Sequence, residues 1–262
     1  MNVIIIMSII IFVIAISMSM VGKGGGNFYV LAMVLAGISM HNAAITSQLI
    51  MMGTSIASML VFHKSKKVDW KLALVIDPPT DIMAFVGGYF AGNIDGIVLK
   101  LMFAILLIII SIFMFISVKE KPVKHVNKLG YWNRTFGDYE YSVNLWIMLP
   151  ITGVVGFFAG AIGISGGAFK IPLMVMLCGI PMEIAIGTSS AMVAATALMG
   201  FLGHNVTGSF DPRIAIPLTI VAVVGGLVGS KFAVKSKPKN LKKIFAITNL
   251  LAAVLMIINI VS

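Results

Sequence analysis

Charge is the first thing this sequence lacks. Charged residues fill 11% of its 262 positions, against about 25% in an ordinary soluble domain. Hydrophobic residues make up 59%, and the mean hydropathy is +1.06. So few charges cannot solvate a surface, which excludes an ordinary soluble globule. Cysteine is nearly missing as well. The single Cys178 excludes a disulfide within the chain and any multi-cysteine metal or redox site, and reads as a small packing residue. The His residues show no metal-ligand spacing, and no cofactor motif is present. The first twenty residues have neither the basic start nor the clear cleavage site of a signal peptide, so they read as a retained helix.

The net charge of +10 comes from Lys and Arg in short runs between apolar stretches, not on one continuous basic face. That distribution excludes a nucleic-acid partner and matches loops flanking membrane helices. Crossing ~30 Å of hydrocarbon takes about 20 apolar residues. Such stretches run 3–21, 28–38, 43–62, 72–92 and 97–118, then 143–162, 168–180, 184–203, 212–231 and 241–261. Between the fives lies 119–142, dense in charge and with Pro122, Gly130 and Gly137, which cannot sit in lipid. The pattern predicts an all-α polytopic membrane protein: a first transmembrane repeat over 1–118, a cytoplasmic linker over 119–142 and a second repeat over 143–262.

The halves repeat each other. Gly22-Lys-Gly-Gly-Gly-Asn-Phe28 aligns with Gly163-Ile-Ser-Gly-Gly-Ala-Phe169, and Ala43-Ala-Ile-Thr-Ser47 with Ala185-Ile-Gly-Thr-Ser189. Asp69-Trp-Lys-Leu-Ala73 matches Asp211-Pro-Arg-Ile-Ala215, and Leu99-Lys100 matches Leu241-Lys242. Equivalent loops carry opposite charge bias. Lys64, Lys66, Lys67 and Lys71 follow the third stretch of the first copy, whereas Lys231, Lys235, Lys237, Lys239, Lys242 and Lys243 follow the fourth stretch of the second. Opposite bias predicts two inverted repeats, with the linker cytoplasmic and both termini external. Stretches 28–38 and 168–180 are short, and either span or return as the second arm of a hairpin.

Each copy places a glycine cluster before its short helix. Glycine is poor helix interior, and backbone freed at membrane depth needs partners or a wet cavity. Short helices opening at Asn27 and Ala168 would turn unpaired N–H groups and positive dipole ends inward, which suits an anion. The candidate substrate-binding residues are therefore Lys23, Gly24, Gly25, Gly26 and Asn27 in one turn and Ser165, Gly166, Gly167 and Lys170 in the other. Thr46 and Ser47, with Thr188 and Ser189, either line the same cavity or bond between helices. Asp77 and Asp81, within Asp77-Pro-Pro-Thr-Asp81, are candidates for proton coupling or for a structural kink, and their repeat partners are Thr219 and Val223.

At these residues the chain resembles the TauE/SafE family of sulfite exporters. The resemblance rests on Gly22-x-Gly-Gly-Gly26 in the first copy, and on Gly163-Ile-Ser-Gly-Gly-Ala-Phe-Lys-Ile-Pro-Leu173 and Ala185-Ile-Gly-Thr-Ser-Ser190 in the second. It covers nearly the whole chain, with departures at Leu31, where the second copy has Pro172, at Ile45, where it has Gly187, and at Lys23. The resemblance implies a cell-membrane permease for sulfite, a sulfonate or a related organosulfur anion, working in the lipid bilayer without a bound cofactor. The assembly is open between monomer and homodimer. Two rival readings stand beside it. Gly163-Ile-Ser-Gly-Gly167 fits the short pattern of an intramembrane serine hydrolase using Ser165 and His204, and a membrane sensor would predict a soluble output domain or a long charged tail.

Overall fold

The computed structural model describes residues 2–115, 126, 128–207 and 210–236, with scattered positions between 247 and 258. The tenth apolar stretch, 241–261, lies largely outside the described residues. In chain order the elements are α1 (Asn2–Met20), α2 (Gly26–Leu35), α3 (Met40–Lys64), α4 (Trp70–Ile76), α5 (Pro78–Ala91) and α6 (Gly96–Phe115). A two-stranded hairpin follows, β1 (Tyr131–Phe136) and β2 (Tyr139–Asn144), and then α7 (Leu145–Ile162), α8 (Gly167–Leu177), α9 (Met182–Thr207) and α10 (Pro212–Lys235). The protein is thus an all-α membrane protein, with one small hairpin among the described residues. Helices α3, α7, α9 and α10 are each long and apolar enough to cross a bilayer.

Solvent exposure is distributed for lipid. Ile5, Ile9, Leu74, Ile97, Val154 and Ile220 are exposed on helix surfaces, while Ser47, Thr54, Ser189, Ser190 and Thr196 are buried. With lipid outside, hydroxyls gain most by facing other helices. Ser58, Thr196 and Ser230 each donate to the carbonyl four residues earlier, which keeps a buried hydroxyl satisfied within its own helix.

The packing follows the sequence repeat. Helix α1 lies on α10, α7 lies on α5, α3 packs on α10, α9 packs on α5, and α3 and α9 pack on each other. Exchanging α1 with α7, α3 with α9 and α5 with α10 leaves that set unchanged. Individual contacts obey the same exchange. Gly87 of α5 meets the backbone of Phe157 in α7, and Gly229 of α10 meets the backbone of Ile16 in α1, so closely that a β-carbon on either would overlap it. Small residues permit this approach, and dispersion replaces the missing hydrophobic drive.

Each short helix follows a longer one across a glycine turn. At 10 and 11 residues, α2 and α8 reach only about 15–17 Å. Residues from Ile6 to Ile14 of α1 and from Phe28 to Ala36 of α2 line one apolar groove, and Ile147 to Phe158 of α7 with Phe169 to Leu177 of α8 line its counterpart. Each pair folds back on itself at its glycine turn.

The fourth stretch of the first copy is broken, unlike the continuous α10. Pro78 and Pro79 have no N–H, so the carbonyls of Leu74 and Val75 lose their helical partners. Asp77 keeps helical dihedrals at φ −86° and ψ −35°, so the segment kinks rather than turns.

Candidate substrate site

The two glycine turns meet at the centre of the protein. Gly22, Gly24 and Gly25 have φ of +69°, +68° and +93°, and Gly163 has φ of +79°, conformations that glycine adopts without a β-carbon penalty. Ser47 of α3 lies 3.0 Å from Gly163 O and 3.2 Å from Gly26 O, donating its one proton between them. Ser189 of α9 donates to Gly22 O at 3.1 Å. Each copy's serine therefore holds the other copy's turn. A β-carbon on Gly26 would come within 3.0 Å of Ser165 N, and one on Gly167 within 3.1 Å of Gly22 O. Residues 21–27 and 161–167 are all buried, so the turns are closed over in this conformation.

Both candidate lysines are interior, and neither reaches an interface. Lys23 is 1% exposed and Lys170 0%. Lys170 starts one turn into α8 and bends back over Gly166, where a β-carbon would stand 3.4 Å from its Nζ and 3.6 Å from Thr80 Cγ2. Its ammonium pairs with Asp77 and donates to Thr196 Oγ1 at 2.9 Å. Thr196 Oγ1 in turn lies 2.8 Å from Asp81 Oδ1. The kink after α4 and the second glycine turn thus deliver one lysine and two carboxylates to a single place.

Buried hydroxyls gather around the turns without a partner. The side-chain oxygens of Ser165 and Thr80 beside the second turn, and of Ser19 and Ser55 beside the first, make no hydrogen bond. A buried, unmade hydroxyl bond costs about 1–3 kcal/mol, so these groups are potential donors beside the turns. Asn27 and Thr46 are buried nearby. Thr188 is turned elsewhere, since its Oγ1 accepts from Asp69 N at 3.0 Å in the α3–α4 loop.

Thr196, Thr80 and the pair Tyr29–Thr54 escape a reading of the sequence alone. Tyr29 OH lies 3.1 Å from Thr54 Oγ1, and Tyr29 and Thr54 occupy in the first copy the positions of Lys170 and Thr196 in the second. The repeat alignment carried to those positions is the signal that finds them. The hydrolase constellation is not formed. His204 Nε2 is 2.8 Å from Gly160 O, and Ser165 Oγ has no hydrogen-bond partner, so serine has no base.

A polytopic helical membrane protein with two broken helices meeting at a buried polar centre has the build of a transporter. The chain belongs to the sulfite exporter TauE/SafE family, whose model matches residues 7–256. It is 28% identical over 246 residues to the probable membrane transporter protein YunE of Bacillus subtilis, covering 89% of each chain. It is 26% identical to a probable membrane transporter protein of Methanocaldococcus jannaschii over 87% of this chain and 84% of the relative. With YfcA of Escherichia coli, also a probable membrane transporter protein, the identity is 25% over 87% and 80%. No solved structure matches the chain.

Proposed function

We propose that this membrane transporter carries a small oxyanion, sulfite, a sulfonate or a related organosulfur anion, through the junction of its two glycine turns. The observation that carries the reading is Lys170. A fully buried ammonium bends back over the N-terminal end of its own helix, adding positive charge where the helix dipole is already positive. That arrangement requires a negative partner, a role that Asp77 fills in this conformation and that a bound oxyanion can take over. Backbone N–H groups of Gly166 and Gly167 and the unpartnered hydroxyls of Ser165 and Thr80 supply donors around the same point, and Gly25, Gly26 and Lys23 belong to the facing turn. Several weak donors suit a tetrahedral or pyramidal oxyanion that must shed its hydration shell.

Flux of labelled sulfite and of methanesulfonate into proteoliposomes tests the reading. Both anions should move with the parent protein, and Lys170→Met should lose at least about tenfold in flux while still melting as a folded protein, because removing a charged hydrogen-bond donor costs about 1.5–3 kcal/mol. A folded Lys170→Met protein with unchanged flux of both anions would overturn it.

A further inference from the structure

We propose that Asp77 is a resident counter-ion that the transported anion replaces on Lys170, so that each anion enters the site together with one proton. The inference rests on reading the second glycine turn as the substrate site. Lys170 Nζ is fully buried, and its ion-pair partner is a carboxylate from another element, delivered by the Asp77-Pro78-Pro79 kink. Asp77 therefore occupies the place, and supplies the charge, of a small oxyanion at the start of α8.

The pseudo-symmetric site, built when every position is exchanged for its repeat partner, is the control within the same molecule. There Tyr29 and Thr54 make the tether that Lys170 and Thr196 make here. Thr219 and Val223, from the second copy, stand there where Asp77 and Asp81, from the first copy, stand beside Lys170, and Thr219 donates to Ala215 O of its own helix. The tether without charge needs no carboxylate. Lysine and carboxylates appear as a set, which ties Asp77 to Lys170 rather than to the bend alone.

Charge balance then couples the anion to a proton. One ammonium and two carboxylates already sum to one negative charge when all are ionised. A second anion on Lys170 would face Asp77 and Asp81 at close range in a medium of low dielectric. A proton on Asp77 removes that conflict, because the carboxylic acid releases Nζ to the incoming anion. Thr196, within hydrogen-bond reach of both Lys170 and Asp81, links the second carboxylate to the exchange. Asp81 is the partly exposed member of the cluster and is where the proton arrives.

Among the described residues a second buried lysine, Lys23, stands in the facing turn, and the elements packed on the cluster are otherwise poor in charge. Helix α7 has no titratable side chain. On α9, Glu183 is tied to Lys67 and Tyr139, and His204 is tied to Gly160 O. Helix α4 carries Lys71 in its first turn and α6 carries Lys100 near its start.

Methanesulfonate keeps its charge over the working pH range, so any pH dependence of its binding belongs to the protein. Calorimetric binding to the purified parent between about pH 5 and about pH 8 should weaken about tenfold per unit rise in pH, the slope of one linked proton. In weak buffer the parent should take up about one proton per anion bound. Asp77→Asn should bind methanesulfonate at least as tightly as the parent does at its acid limit, with the pH dependence gone. A parent whose affinity ignores pH and which takes up no proton overturns the exchange but leaves the substrate site standing. So does an Asp77→Asn protein that keeps the parent's slope. A parent that binds no methanesulfonate at any pH overturns the site and the exchange together. The proton-uptake measurement needs no variant, so it decides the matter even if Asp77→Asn does not fold.

Discussion

Gly25 and Gly166 hold the same place in the two repeats, yet they are glycines for different reasons. Gly25 has φ of +93°, where any other L-residue costs about 1–2 kcal/mol, and a β-carbon there would come within 2.6 Å of the Tyr29 ring. Gly166 has φ of −56°, open to every residue, and its β-carbon would press on the end of the Lys170 side chain, with Cε at 3.2 Å, and touch Thr80 Cγ2 at an ordinary 3.6 Å. Substitution separates the two. Gly25→Ala should lower the melting temperature measurably, whereas Gly166→Ala should melt close to the parent and weaken methanesulfonate binding several-fold by displacing the ammonium. Equal stability losses at both positions would show that the second turn, too, depends on a bare backbone. That glycines cluster at these turns is legible in the sequence, because several glycines in a row are poor helix interior. Which of them carries a left-handed backbone is not, since φ is fixed by how Ser47 and Ser189 anchor each turn from the opposite repeat.

The linker hairpin shows how an element gains a role through contacts far along the chain. Tyr131-Trp-Asn-Arg-Thr-Phe136 and Tyr139-Glu-Tyr-Ser-Val-Asn144 pair antiparallel across the two-residue turn Gly137-Asp138, and aromatic and β-branched residues flanking Gly-Asp are a readable hairpin signal. The docking of the hairpin is not readable. Arg134 and Tyr141, opposite each other across the strands, both grip Asp69, Arg134 through Nε at 2.9 Å and Nη2 at 3.0 Å. The same carboxylate caps α4 by accepting from Lys71 N and Leu72 N. Burial works to raise the Asp69 carboxyl, but the hydrogen bonds from Arg134 and Tyr141 outweigh it and hold the group below the ordinary carboxylate range. Carboxyls depressed in the docked state stabilise docking above about pH 4, and that contribution disappears as pH falls through the depressed value. Arg134→Met leaves the buried carboxylate short of its cation, at a cost of about 3 kcal/mol. It should melt several degrees below the parent at neutral pH, and the gap should narrow in acid as Asp69 takes up a proton. Arg134→Lys should restore only part of the loss, since lysine cannot make the two-pronged contact. A gap that stayed constant down to acid pH would assign the loss to packing instead of charge.

At the scale of the whole molecule, the sequence repeat carries more of the fold than any single helix does. Pairs of positions that align between the halves also exchange contacts, as Ser47 on Gly163 and Ser189 on Gly22 do, so the internal alignment foretells the central crossing. The break at Asp77 departs from the repeat, and the prolines there are what announced it. The two ends of the bundle differ in charge, and sidedness follows from that difference. At one end Lys67 reaches Val234 O at 3.4 Å and Glu183 at 2.8 Å, which gathers the α3–α4 loop, the end of α10 and the start of α9 beside the docked hairpin. That end carries Lys64, Lys66, Lys67, Lys71, Arg134, Lys231 and Lys235. At the other end His41 Nε2 lies 2.9 Å from Ile94 O, close to Asp95. Under the positive-inside rule the lysine-rich end belongs in the cytoplasm, and equivalent loops of the two repeats then face opposite sides, as inverted repeats require. Single cysteines placed in a Cys178→Ala background test both parts of this proposal. Cysteines at Lys64 and Lys235, which are exposed at the basic end, should be shielded from an impermeant thiol reagent added outside intact cells, and one at the exposed Asn93 should react. Reversal of all three would turn the molecule over in the membrane while keeping the repeats inverted. Reaction at Lys64 or Lys235 but not at both would sink the inversion itself, because those two positions close homologous halves at what must then be different faces.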